Sequence, residues 1–121
     1  MTSERPVTDA IAALAPPGHD VLAGWHARAL ELEPSATEGS SYGMPALRYR
    51  GRPLIAVAVT AAGYSVYPFS PAVIDDSAHL LGGLKRSKGA VAFTDAHPLP
   101  REAFDALVLA RRAEIDASLD G

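Results

Sequence analysis

The chain has 121 residues, a formal net charge of −3 and 48% apolar residues. That size fits one domain with one core, expected to take in residues 1–121. Cysteine is absent, which excludes disulfides, thiolate zinc sites, a cysteine nucleophile and self-held iron–sulfur ligation.

No apolar run is long enough to span a membrane. The N-terminal stretch MTSERPVTDA is polar and carries no apolar leader core, so a cytoplasmic protein is the simplest reading. Charge is distributed unevenly. Residues 1–40 carry six acids and two bases. Residues 41–92 carry six bases (Arg48, Arg50, Arg52, Lys85, Arg86, Lys88) against Asp75 and Asp76. Residues 93–121 return to six acids and three bases. Either the middle presents a positive face, or these charges decorate solvated surfaces. A pI of about 5.7 and the lack of a helix with clustered bases argue against nucleic-acid binding.

Along the chain, Thr8 is placed to cap a short helix over 9–15, ended by Pro16 and Pro17. A second helix is predicted over about 18–32, with Val21, Leu22, Trp25, Ala29 and Leu32 on one stripe and Pro34 as its stop. The period then changes. Residues 45–50 alternate, Leu47 and Tyr49 on one face and Arg48 and Arg50 on the other. Gly51 turns the chain into the continuously apolar LIAVAV at 54–59, read as a central strand. Ala62-Gly63 turns again into YSVYPF.

Ser70-Pro71 is a cap followed by a first-turn proline, starting a helix over about 71–81 that Gly82-Gly83 ends. GAVAFT at 89–94 reads as a short strand. Pro98 and Pro100 introduce a last helix with the stripe Phe104, Leu107, Val108, Ile115 and Leu119. The expectation is an α+β domain: a mostly antiparallel, curved sheet of about five strands. Helices pack against it, two at the N-terminus and one long one at the C-terminus.

Several residues could carry chemistry. In Tyr42-Gly43-Met44-Pro45 the glycine frees the backbone and the proline holds Met44 extended, so Tyr42 and Met44 take fixed directions. The corner reads as a pocket wall or as a turn packed for stability. Arg111 lies seven residues after Phe104 and four before Ile115, inside the apolar stripe. It needs a partner, for which Glu38 is best placed, or it lays its stem on the core and reaches water. Lys88 at a strand start either points an ammonium group at an anion or guards a sheet edge. Asp75 and His79, four apart, and the acids Glu31 and Glu33 are weak metal candidates, since one pair does not make a site. His19 and His26 are too far apart to chelate one ion. No GxSxG, P-loop or HExxH pattern occurs, so no enzyme activity is assigned.

The stretch EGSSYGMPALRYRGRPL at 38–54 resembles the Ser-Tyr-Gly-Met-Pro signature and following Tyr-x-Gly-Lys-Pro-Leu of the YdhG-like family of small domains. SVYP at 65–68, SKGAVAF at 87–93, PLP at 98–100 and ARRAE at 110–114 continue the likeness in order, over about 8–116. Most of that family has no known function. A Bacillus-type member is described as a frataxin-like iron chaperone, so the resemblance implies iron as cargo for iron–sulfur cluster or haem assembly. It marks Glu38, Ser41, Tyr42, Gly43, Met44, Pro45, Tyr49, Lys88 and Arg111 without giving any of them a reaction.

The reading that follows is a non-enzymatic binding module. Glu38, Tyr42, Met44, Tyr49, Tyr64, Lys88 and Arg111 would converge on a groove for a small anionic ligand or an acidic protein partner. No resident cofactor is expected. Edge strands allow a homodimer, but nothing in the sequence demands one.

Overall fold

Thr37–Ser41 forms a strand, β1, that hydropathy alone does not reveal, because TEGSS contains no large apolar residue. It pairs antiparallel with β2 (Met44–Tyr49) through the two-residue turn Tyr42-Gly43. Both turn residues have positive φ, 51° and 77°. The next turn, Arg50-Gly51, repeats the pattern at 51° and 79° and leads into β3 (Arg52–Thr60). Positive φ at both central positions marks the hairpin turn whose twist matches that of the strands it joins. The Tyr-Gly-Met-Pro corner is thus a hairpin tip.

The computed structural model describes residues 4–121. β4 (Gly63–Tyr67) and β5 (Val91–Phe93) complete an antiparallel meander in the order β1-β2-β3-β4-β5. β5 has only three residues, shorter than the strand predicted over 89–94.

Cross-strand partners share a face. Glu38 pairs with Leu47, Leu47 with Ile55, Val57 with Val66, Val59 with Tyr64, and Tyr64 with Phe93. These residues therefore form one side of the sheet. A register shift between Leu47 and Arg48 gives β3 an extra residue. As a result Leu54 and Ile55 are both buried, where strict alternation would bury one of them.

Three helices cover that side. α1 (Pro6–Ala12) lies on β1 and β2, α2 (Gly18–Leu32) on β3, and α4 (Arg101–Asp120) on β3 and α2. The Trp25 ring meets Phe104 at 4.5 Å and Phe93 at 6.3 Å, which joins both long helices to the sheet. Arg28 of α2 grips Asp105 of α4 through two hydrogen bonds, 2.9 and 2.7 Å. Arg112 Nη1 donates to the Leu32 carbonyl at 3.0 Å, satisfying an acceptor that the end of α2 leaves open. No helix among the described residues is long and apolar enough to cross a membrane.

Two predicted helices differ in extent. α1 begins at Pro6, not after Thr8, and no side chain caps it. The Thr8 hydroxyl is drawn to a carboxylate elsewhere. The helix predicted over 71–81 is α3 (Pro71–Asp76), capped as expected by Ser70, followed by a separate 3-10 turn at Ala78–Leu80. Asp75 and His79 therefore sit on different segments and do not share one helix face.

Three substitutions test this arrangement. Phe104 is completely buried, so Phe104→Ala should lower the urea-unfolding free energy by about 3–5 kcal/mol. Leu119→Ala, at the exposed end of the same stripe, should stay within about 0.5 kcal/mol. An added Cβ at Gly43 meets nothing within 4 Å, so Gly43→Ala carries only the left-handed backbone penalty. It should cost about 1–2 kcal/mol in the same measurement.

Candidate functional site

Under α1 the helical layer does not close completely. A hollow of about 190 Å³ lies between α1, α2, β2 and β3. Ile11, Leu22, Ala29, Leu47, Ile55 and Val57 are among its walls, so it is largely apolar. Met44 and Pro45 of the hairpin line it too, which sets the corner beside it. Its polar lining side chain is His26, which falls four residues after Leu22 and three before Ala29 on the buried stripe of α2.

Around His26 stands a small polar group. The Thr8 backbone N–H and hydroxyl both donate to the Glu38 carboxylate, at 2.7 and 2.6 Å. This ties α1 to the edge strand. His26 Nε2 stands 3.7 Å from Glu38 Oε2, and Arg5 approaches the same oxygen at 3.9 Å. His26 Nδ1 is buried and has no hydrogen-bond partner. Buried polar atoms are nearly always satisfied, so this nitrogen calls for an explanation.

The protonation states follow from these neighbours. Burial lowers the His26 pKa below its ordinary 6.5; Glu38 opposes that shift and Arg5 adds to it. The imidazole is therefore neutral at pH 7. Burial pushes the Glu38 pKa up, but the Thr8 hydroxyl and N–H, with His26, bring it below 4.5. Glu38 is thus a held anion and a weak base, and its contact with the Thr8 hydroxyl is a latch more than an activated nucleophile.

The other residues singled out from the sequence lie apart from this hollow. Arg111 does not meet Glu38. Its Nε donates to the Pro53 carbonyl beside the β-bulge at 2.9 Å, and its Nη1 to Glu114 at 2.6 Å. Glu114 in turn accepts from the Ser70 hydroxyl at 2.8 Å, and Ser70 caps α3. The guanidinium thus links the bulge, α4 and the start of α3. Tyr49 donates to Asp116 at 2.7 Å, which raises its pKa. Tyr64, nearly buried, donates to Asp95 at 3.1 and 3.2 Å; burial first, then that contact, raises its pKa. Tyr42 is 86% exposed and stacks on Phe69 at 5.8 Å. Lys88 is exposed in the loop before β5. Of the seven residues expected in one groove, Glu38 and Met44 come together here, and the cationic end expected from Arg111 and Lys88 is elsewhere.

The acids do not form a metal-binding group. Glu31 pairs with Arg28, Glu33 accepts from Ser35 and approaches Arg112, and Glu38 is held by Thr8. No cluster of three or more metal-ligating side chains occurs among the described residues. Labile iron favours several hard oxygen donors at one place, and this donor set does not fit it.

His26 was legible by the argument that singles out Arg111: an ionisable group inside an apolar stripe. Thr8 had no such signal, because its partner is thirty residues away.

No family model matches the chain, and no curated protein sequence matches it. Its fold is shared with a solved protein. The crystal structure of a protein from the DUF1801 family, YdhG of Bacillus subtilis, superposes with a TM-score of 0.77 at 14% identity, covering 93% of this chain and 91% of that one. The chain has the YdhG-like fold. This agrees with the resemblance carried by the Tyr-Gly-Met-Pro block, and at that identity the structural likeness speaks for the fold alone. In this chain the block supplies both the first hairpin turn and one wall of the hollow.

The titrations have a measurable consequence. As pH falls, the unfolded chain takes up a proton at histidine 26 before the folded chain does, so folded stability is full above about pH 6.5 and declines below it. The Glu38 contribution is present above about pH 4.5 and is lost as pH falls through the lower folded value; Asp105, held by Arg28, behaves likewise from 3.8. Thermal melting should therefore show two descending steps on acidification. His26→Phe should remove the upper step and leave the lower.

Proposed function

We propose that the protein is a small-molecule binding module whose ligand occupies the hollow beside the Tyr-Gly-Met-Pro corner. One observation carries this reading: a largely apolar hollow of about 190 Å³ lies between α1, α2, β2 and β3, with the His26 imidazole in its wall. An empty apolar cavity of about 150 Å³ is known to take up a single benzene ring, so the volume here suits one substituted ring.

The anion expected from the sequence fits this place poorly. Glu38 is ionised at the hollow's edge and His26 is neutral, so a second negative charge would be repelled and left unpaired. Iron carriage is implied by the family resemblance alone, and the scattered acids give it no support.

A methyl-detected NMR titration with p-xylene tests the reading. The methyls of Leu22, Ile55 and Val57 should shift on addition, and Ala10→Phe, which fills the hollow from the exposed side of α1, should suppress the shifts without unfolding the protein. Unmoved methyls in the unmodified protein would refute it.

A further inference from the structure

We infer that α1 is a detachable wall of the hollow, held shut by the Glu38 carboxylate, and that a ligand enters when this one helix leaves the sheet while the rest of the domain stays folded. This rests on the reading of the hollow as a ligand site and adds how that site is opened.

α1 has little stability of its own. Its seven residues are far below the length at which isolated helices form in water. Its N-cap side chain makes no capping bond, and of its residues Ile11 is the buried one. The Thr8 N–H lies in the first turn, where no acceptor is available inside the helix. Glu38 supplies one from β1. Its Oε1 accepts from the Thr8 N–H at 2.7 Å and its Oε2 from the Thr8 hydroxyl at 2.6 Å, with Arg5 Nε 3.9 Å from Oε2. The carboxylate thus does for α1 what an N-cap side chain does for other helices, and its charge suits the positive end of the helix. Bonds to an ionised acceptor are also the strong ones.

α1 is the wall that the rest of the domain can spare. Val7, Ala10 and Ile11 line the hollow from one side, and α2, β2 and β3 line it from the others. Those other walls are tied into the fold without α1. Trp25 packs on Phe104 and Phe93, Arg28 holds Asp105, and Arg112 reaches the Leu32 carbonyl. Residues 13–17, mostly exposed, connect α1 to α2. Release of the Glu38 contacts therefore frees one short helix, and a segment with few buried apolar contacts opens before the whole domain does. Thr8 and Glu38 are positioning residues here: they act on a ligand through α1.

Native-state hydrogen exchange in low urea, followed by NMR, tests this. In the unmodified protein the amides of Asp9 and Ala13 should be protected, but at least about tenfold less than those of Leu107 and Val108 in α4. Their exchange should depend only weakly on urea, as for a small opening, where the α4 amides follow global unfolding. Glu38→Ala should lower the α1 protection about ten- to hundredfold and keep that weak dependence. Thr8→Val, which removes the hydroxyl and keeps the N–H, should cause a smaller loss, and it decides the matter if Glu38→Ala does not fold. p-Xylene should slow α1 exchange, and its dissociation, read from NMR line shapes, should be about tenfold faster in Glu38→Ala. One protection and one urea dependence shared by α1 and α4, or no protection of α1 in the unmodified protein, would overturn the inference. Unchanged p-xylene dissociation in both variants would overturn the entry route and leave the hollow a ligand site. Failure of p-xylene to bind would overturn the hollow as a ligand site and the entry route with it.

Discussion

Three helices lie against the same side of one antiparallel meander, and the rest of the molecule follows from that constraint. Side chains alternate along a strand, so the pairing register decides which residues enter the buried layer. The two hairpin turns with paired positive φ fix that register at the start of the sheet. Once it is set, Leu47, Ile55, Val57, Val66, Tyr64 and Phe93 must be covered, and Trp25 and Phe104 are among the groups that cover them.

The same constraint carries polar groups into the layer, each of which needs an internal partner. Tyr49 finds Asp116, Tyr64 finds Asp95, Arg111 finds the Pro53 carbonyl and Glu114, and Glu38 finds Thr8. Apart from Arg111–Glu114, which lies within α4, each pairing joins segments that meet only when the domain has folded, so each also helps to specify one arrangement. His26 differs in that half of its ring is left unsatisfied, and it differs at the place where the apolar layer is also incomplete.

The uneven charge of the sequence resolves in a similar way. Arg50 of the basic middle segment bridges Asp116 and Asp120 of the acidic C-terminal helix. Arg48 folds over the hairpin to donate to the Ser40 and Gly51 carbonyls. Part of the positive stretch is thus neutralised or tied down within the fold. Arg52, Lys85, Arg86 and Lys88 remain outward, too few and too dispersed along the chain to make a basic groove.

Read by itself, the amino-acid sequence determined the order of helices and strands apart from β1, the Ser70 cap, the buried stripe of α4 and a turn at the Tyr-Gly-Met-Pro corner. These depend on periodicity, proline and glycine, whose effects are local. Tertiary structure decided the remainder. β1 is a strand because its neighbour pairs with it, not because TEGSS prefers to be one. Thr8 serves Glu38 across the fold instead of capping its own helix. Arg111 binds the carbonyl beside a bulge that no pattern announces. The hollow exists only where α1, α2 and two strands fail to fill the space between them. Such features arise from contacts between residues distant in sequence, and a one-dimensional pattern does not encode the distances on which they depend.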